Sequence, residues 1–285
     1  MNLSVSKDAT SFISLETDRL TGVVTLSIDW GSRPVVSAAF CARFRAALPE
    51  IEAAIGGVVR TSGVAQPIFV VQSRWPGIFA LGADFDTFPV SGAPQDNQAF
   101  DAYSADIIAG LLATYLGFNQ PVLTIGIVDG PAFGAGVEML LALDLVVATP
   151  RARFCLPEGV FGATPPIAPF LLSRRCEVTT IRRLIQEGVE LSAEEARHAG
   201  LIDAIVDAPD PRSALSAYLE TDATQLRAHR LRCAIEKRRF PLSRQDLEFA
   251  MAGFRDLLND LSEADKFRVR LLLEKQLQLS RQAQS

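Results

Sequence analysis

The sequence predicts an α/β fold with a helical carboxyl-terminal region, and two patterns carry that prediction. Short apolar runs of strand type alternate with stretches of helical spacing as far as about Ala208, which calls for crossover connections between strands. Beyond that point, where Pro209 and Pro211 interrupt the chain, only helical periodicity remains. The expected organisation is therefore a core over residues 1–207 and a helical region over residues 208–285.

Val23, Val24, Leu26 and Ile28 read as the first strand, and Phe40, Phe44, Leu48, Ile51 and Ile55 put one apolar face on a helix within residues 34–55. A second strand follows at 67–72, and residues 78–86 open a loop. Residues 100–116 form a long amphipathic helix with Tyr103, Ile107, Leu111, Leu112 and Tyr115 on its apolar side. The continuous apolar run 121–128 is a buried strand that ends in the turn Asp129-Gly130-Pro131, and a loop of small residues then leads into a helix near 136–143. Two short strands are expected at 145–148 and 153–156. Ser192 with Glu195 spells a capping box for a helix that Gly200 ends. Ser243 caps a helix whose apolar residues run from Leu247 to Leu261, and Ser262 with Asp265 begins another.

Composition excludes several function classes. The 285 residues carry 28 Lys+Arg against 33 Asp+Glu, so the net charge of −5 gives no general attraction to nucleic acid or to an anionic membrane. Most hydrolytic triads and imidazole metal sites need at least one well-placed histidine and often two or three, and only His198 and His229 are present. The four cysteines are scattered without a CxxC pair, which suggests neither a thiolate metal site nor a disulfide framework. The amino terminus, Met1 to Thr10, lacks an apolar signal core and no apolar run is long enough to span a bilayer, so a soluble cytoplasmic protein is expected. Any chemistry must come from carboxylates, backbone groups or a bound ligand.

Two loops could supply backbone groups. Phe79-Ala80-Leu81-Gly82-Ala83-Asp84 delivers small residues into a turn, and Gly130-Pro131-Ala132-Phe133-Gly134-Ala135-Gly136-Val137-Glu138 ends a strand and opens a helix. The first N–H groups of that helix have no intrahelical acceptor, so one N–H from each loop would make an oxyanion hole. Ordinary glycine-containing turns are the simpler account of the same pattern. No GxxxxGK[ST], GxGxxG or GxSxG is present. Glu138 lies in the first turn of the second helix and Glu158 follows the next strands; burial would lift either carboxyl towards neutrality, whereas a solvated glutamate would do nothing.

Taken in order, Phe79 to Asp84, Gly130 to Glu138, Pro157-Glu158, Leu191-Ser192-Ala193-Glu194-Glu195-Ala196 and Gly200-Leu201-Ile202-Asp203 resemble the enoyl-CoA hydratase/isomerase, or crotonase, superfamily over about residues 20–206. The resemblance implies a crotonase-like spiral of ββα units whose helical carboxyl-terminal region covers the active site and supports a homotrimer or dimer of trimers. It places the oxyanion donors at the N–H groups of Ala83 and Ala135, the acid/base pair at Glu138 and Glu158, and substrate contacts at Ala80, Gly82, Phe133, Gly134 and Phe161. It implies no metal or redox cofactor. The partner is an acyl-CoA or acyl carrier protein thioester, with coenzyme A or phosphopantetheine as the handle of the substrate.

A narrower resemblance lies in Phe79 to Phe88, in residues 97–117 and in the tail from Phe240-Pro241-Leu242-Ser243-Arg244 to Leu272. These segments are similar to the diffusible-signal-factor synthases, which dehydrate a 3-hydroxyacyl carrier protein thioester and hydrolyse the product to a cis-2-unsaturated fatty acid. The implied chemistry is dehydration of a 3-hydroxyacyl thioester, or hydration of a 2-enoyl thioester, through an enolate, with thioester hydrolysis as a further step. The alternatives are a conventional enoyl-CoA hydratase/isomerase without hydrolysis and a catalytically silent oligomerisation or carrier-protein-binding subunit. The chain departs from those synthases at Ala83 and Ala135, where they usually have glycine, and at Thr164-Pro165-Pro166-Ile167-Ala168-Pro169. There Thr164 is expected to cap a helix with Pro165 in its first turn, while Pro166 and Pro169 remove N–H donors beside Glu158.

Other polar residues read as structural. Asp84 should hold its turn, Asp144 should end the Glu138 helix, and the two histidines should lie on solvated helical faces. The basic cluster of Arg227, Arg230, Arg232, Lys237, Arg238, Arg239 and Arg244 is either a solvated face or a contact for a coenzyme A phosphate or an acidic carrier protein. Phe85, Phe88, Phe133, Phe161 and Phe170 are either core or the lining of an acyl tunnel.

Overall fold

A computed structural model of the chain describes residues 12–64, 67–88, 94–222 and 225–283; the polar segment Met1 to Thr10 lies outside them. The first half runs β1 (Ile13–Asp18), β2 (Val23–Ile28), α1 (Ala38–Thr61), β3 (Ile68–Ser73), α2 (Pro94–Tyr115), β4 (Leu123–Val128), β5 (Pro131–Phe133) and α3 (Ala135–Leu141). The chain continues with β6 (Leu145–Ala148), β7 (Arg153–Cys155), α4 (Ala168–Leu172), α5 (Val178–Arg182), β8 (Leu191–Ser192), α6 (Ala193–His198) and β9 (Ala204–Ile205). Four helices complete it: α7 (Pro211–Asp222), α8 (Leu226–Arg239), α9 (Arg244–Asn259) and α10 (Glu263–Gln282).

The strands form a six-stranded sheet in the order β1-β2-β3-β4-β6-β9 and a three-stranded sheet in the order β5-β7-β8. Every pair in the large sheet is parallel except β1 with β2. Each pass of the chain lays one strand in the large sheet and the next in the small one, β4 then β5 and β6 then β7, which is the expected α/β spiral. The strand β1 went unread in the sequence although Ile13 and Leu15 alternate with polar residues; both are buried, and the strand pairs antiparallel with β2.

Helix α2 begins at Pro94, six residues ahead of expectation, and two other helix starts also differ. The helix expected over residues 34–55 begins at Ala38, where Ser37 Oγ accepts from Phe40 N–H at 3.2 Å, because Val36 is held in a bridge with Ala83. The second is α4, which starts at Ala168, so Thr164 caps nothing and Pro169, not Pro165, occupies its first turn. The reason is electrostatic: the N–H groups of Ile167 and Ala168, which open that helix, are taken by a buried carboxylate.

The carboxyl-terminal helices do not pack as a separate body. α7 closes the back of the large sheet, burying Leu215 and Tyr218 against Val70, Ile125, Ile127 and Val147; each such side chain contributes about 1.5–3 kcal/mol when removed from water. α9 lies on α2, with Phe254 against Phe88 and Phe100 at ring separations of 5.7 and 6.2 Å. The amino ends of α9 and α6 are capped as the sequence indicates, by Ser243 with Asp246 and by Ser192 with Glu195. Asp144 accepts from the N–H and hydroxyl of Thr124 at 2.9 Å and pairs with Lys237 at 2.6 Å, tying α8 to the sheet. No described helix is long and apolar enough to cross a membrane.

Candidate active site

The two small-residue loops are tied together by backbone hydrogen bonds. Phe79 and Ala80 donate to Pro131 O at 2.9 and 3.2 Å, and Phe133 donates to Ala80 O at 2.8 Å. Residues 34–36 hold the first loop from its other edge: Leu81 N–H reaches Pro34 O, Val36 N–H reaches Gly82 O, and Asp84 N–H reaches Val36 O. In the second loop Gly134 N–H donates to Cys155 O at 2.8 Å, which leaves Ala135 as the first residue of α3. Neither Ala83 N–H nor Ala135 N–H has an acceptor among the described residues. Two unspent donors on adjoining, half-buried loops are the kind of group that receives a developing oxyanion.

Close approach of the loops depends on Gly134, whose backbone (φ 47°, ψ −121°) only glycine adopts readily. A Cβ there would stand 3.4 Å from Gly82 Cα and 3.0 Å from Glu158 Oε1. Gly134 borders one cavity and Ala135 another, so this loop is the wall between two chambers.

Glu138 lies in the Ala135 chamber and is 5% exposed. Its Oε1 accepts from Ile167 N–H and Ala168 N–H, both at 2.8 Å. Burial pushes its carboxyl up to about 7 even though those two donors oppose the shift. The proline-rich segment thus does the opposite of what its missing donors suggested: two of its three remaining N–H groups, those of Ile167 and Ala168, converge on one oxygen. Most of that chamber is apolar, with Phe40, Phe44, Phe79, Ile107 and Leu111 in its walls beside Asp106 and Thr114.

Glu158 sits in a 3-10 turn, Pro157–Phe161, and lines the other chamber with Gly82, Ala83, Phe133, Gly134 and residues of α10. It is 9% exposed, and its Oε2 is buried without a hydrogen-bond partner. Burial, then the charge of Glu138, pushes this carboxyl up to about 8. Both carboxyls are pushed towards neutrality, and at Glu138 the two backbone donors partly offset the effect of burial.

The structure brings together most of the residues expected at the site, with two exceptions. Ala80 and Phe161 are fully buried behind it, Ala80 in the bridge to Ala132 and Phe161 edge-on to Phe85 at 6.4 Å; neither lines either chamber. Phe85, Phe88 and Phe133 face Glu158, whereas the aromatics beside Glu138 are Phe79, from the start of the first loop, and Phe40 and Phe44, which the sequence marked only as an apolar helix face. The other residue missed was Gln276 of α10 in the Glu158 chamber; its only signal was its spacing with Leu272 and Leu279, which share that chamber.

Asp84 holds its turn by accepting from Asp86 N–H at 3.2 Å, and pairs with Arg33 at 3.0 Å. His198 Nδ1 lies 2.8 Å from Glu194 O in its own exposed helix, and His229 is on α8. Several members of the basic cluster are bound within the chain: Lys237 to Asp144, Arg232 to Glu236 and Asp203, and Arg239 over the Phe240 ring. Cys41, Cys155 and Cys233 are buried core thiols that burial pushes well up.

Comparison with known proteins agrees with this geometry. The chain is 32% identical over 120 residues to carnitinyl-CoA dehydratase of Proteus mirabilis (strain HI4320), covering 41% of this chain and 45% of that protein. It therefore spans under half the length of that curated relative. Among solved structures it is similar to human mitochondrial delta3-delta2-enoyl-CoA isomerase, with a TM-score of 0.73, 19% identity, and coverage of 93% of this chain and 98% of that one. Enoyl-CoA hydratase from Bacillus halodurans gives a TM-score of 0.72 at 18% identity, covering 92% and 100%. At those identities the likeness is one of fold. Residues 33–249, which hold both loops and both glutamates, match the Enoyl-CoA hydratase/isomerase family, and the chain belongs to that family.

Proposed function

We propose that the protein interconverts 3-hydroxyacyl and 2-enoyl thioesters through an enolate. The observation that carries this reading is the pairing of two buried carboxyls, at about 7 and about 8, on the two sides of a loop whose Ala135 N–H, with Ala83 N–H, is unspent. The thioester oxygen accepts from those two donors as charge develops on it; one such donor is worth ~10²–10³ in rate. In hydration, water gives its oxygen to C3 and a proton to Glu138, while Glu158 gives its proton to C2. Dehydration runs the same transfers backwards, with Glu158 taking the C2 proton and Glu138 protonating the departing hydroxyl. Because both groups titrate near neutrality, each protonation state that the two directions need is accessible at one pH.

The finer reading is a diffusible-signal-factor-type enzyme on 3-hydroxyacyl carrier protein thioesters that also hydrolyses the product to a free cis-2-unsaturated acid. Support comes from the resemblance in Phe79 to Phe88 and in the tail, and from an apolar chamber beside Glu138 suited to an alkyl chain. Phe249, Phe267 and Leu271 expose apolar surface on α9 and α10 that assembly as a trimer would cover. The test is incubation with 3-hydroxyacyl carrier protein and enoyl-CoA substrates of several chain lengths, followed by mass spectrometry. Free unsaturated acid is the expected product. Hydration without release assigns a conventional hydratase, and no turnover across the panel assigns a silent subunit.

A further inference from the structure

Gln276 lies on α10, outside the span that matches the family, yet it is 6% exposed and sits in the Glu158 chamber. Its Nε2 donates to Leu81 O at 2.6 Å and to Ala83 O at 3.1 Å. Those carbonyls belong to the peptide groups immediately before and after the one that carries Ala83 N–H. The carbonyl of that middle peptide, Gly82 O, is held by Val36 N–H at 2.8 Å. Three successive peptide planes are thereby fixed, two of them by one side chain some 190 residues away. The amide cannot turn over, since that would set Oε1 against two carbonyl oxygens; Oε1 is buried and unpartnered.

We infer that Gln276 is a positioning residue: through it α10 aims the Ala83 N–H at the substrate carbonyl. Gly82, at φ 99°, has no side chain to stiffen the loop, so without the clamp the peptide carrying the donor keeps only the edge bond from Val36 N–H while its two neighbours are released. A misplacement of about 1 Å in such a site costs up to ~10²-fold. The inference rests on the proposed thioester chemistry.

The test compares wild type, Gln276→Met and the isosteric Gln276→Glu, each checked for folding by thermal melt. The first readout is the infrared carbonyl stretch of a bound saturated acyl-CoA labelled with ¹³C at C1, which needs binding but no turnover. Wild type should show a red shift that both variants largely lose. On substrates that wild type turns over, kcat should fall ~10- to 100-fold with KM within about 3-fold, and in Gln276→Met, which adds no titratable group, the pH profile set by the glutamates should be unmoved. If Gln276→Met does not fold, Gln276→Glu carries the test, because it keeps the shape and removes the paired donors. A red shift or kcat in the folded variants equal to wild type overturns this inference alone. Failure of wild type to bind the labelled thioester overturns the functional reading and this inference with it.

Discussion

Glu138 and Glu158 are the same residue type, 20 positions apart and both buried, and they differ in what the backbone offers them. At Glu138 two N–H groups at the start of α4 meet one oxygen; at Glu158 no donor meets Oε2. Burial raises both, but the donors hold Glu138 at about 7 while Glu158 rises to about 8. Backbone donors oppose burial most at Glu138, and the charge of Glu138 raises Glu158 further, so the two environments differ in kind.

The largest effects should come from removing either proton carrier. Glu138→Gln and Glu158→Gln are each expected to lower turnover by at least ~100-fold while folding is retained; full activity in either variant would remove that residue from the mechanism. Replacing the wall between the chambers is next. Gly134→Ala forces a non-glycine residue into a φ 47°, ψ −121° backbone and brings its Cβ to Glu158 Oε1. Turnover should fall ~10- to 100-fold, and denaturant titration should show a loss of about 1–3 kcal/mol. An unchanged midpoint would mean that the loop adapts.

Truncation sharpens the comparison through stability. Glu138→Ala strands two buried N–H groups, each costing about 1–3 kcal/mol, whereas Glu158, whose Oε2 has no partner, is met only by its own backbone N–H. Glu138→Ala should therefore be the more destabilising by a few kcal/mol in chemical denaturation. Equal losses would show that the α4 donors are not spent on Glu138.

The same two carboxyls predict a pH slope. Their folded values lie above the unfolded 4.5, so the folded chain binds more protons than the unfolded chain between 4.5 and about 8. Stability should fall as pH rises through that window and level off above it. Asp18 and Asp210, which local hydrogen bonds lower, act with the opposite sign in the more acid range. Glu138→Gln should remove the part of the slope that ends near 7 and Glu158→Gln the part that runs to about 8. A slope that survives both substitutions places its origin elsewhere.

What the sequence disclosed follows the range of each interaction. Helix caps at Ser192 and Ser243 and the small-residue loops are local, so they could be read directly. The strand β1 is marginal alone and earns its place by pairing with β2. The start of α4 could not be read because it is decided by Glu138, some 30 residues upstream. Gln276 was less legible still: its helix was predictable, but the carbonyls that give it meaning are nearly 200 residues away. The proposed acid/base pair and its division of labour, Glu158 at C2 and Glu138 at C3, both came from order and resemblance; the hydrogen-bond supply around each carboxyl required coordinates.

The smallest expected effect tests the economy of the site. Scarce histidine suggested chemistry by carboxylates and backbone donors alone, and the structure leaves His198 on an exposed helix, 2.8 Å from Glu194 O of its own turn. It lines neither chamber. His198→Gln removes the ring but leaves the Ser192–Glu195 capping box that starts its helix, so turnover should stay within ~2-fold, as for a surface substitution. Complete loss of chemistry in a well-folded His198→Gln protein would require an imidazole to carry a proton that the comparison of Glu138 with Glu158 assigns to carboxyls, and the two-glutamate mechanism would fall.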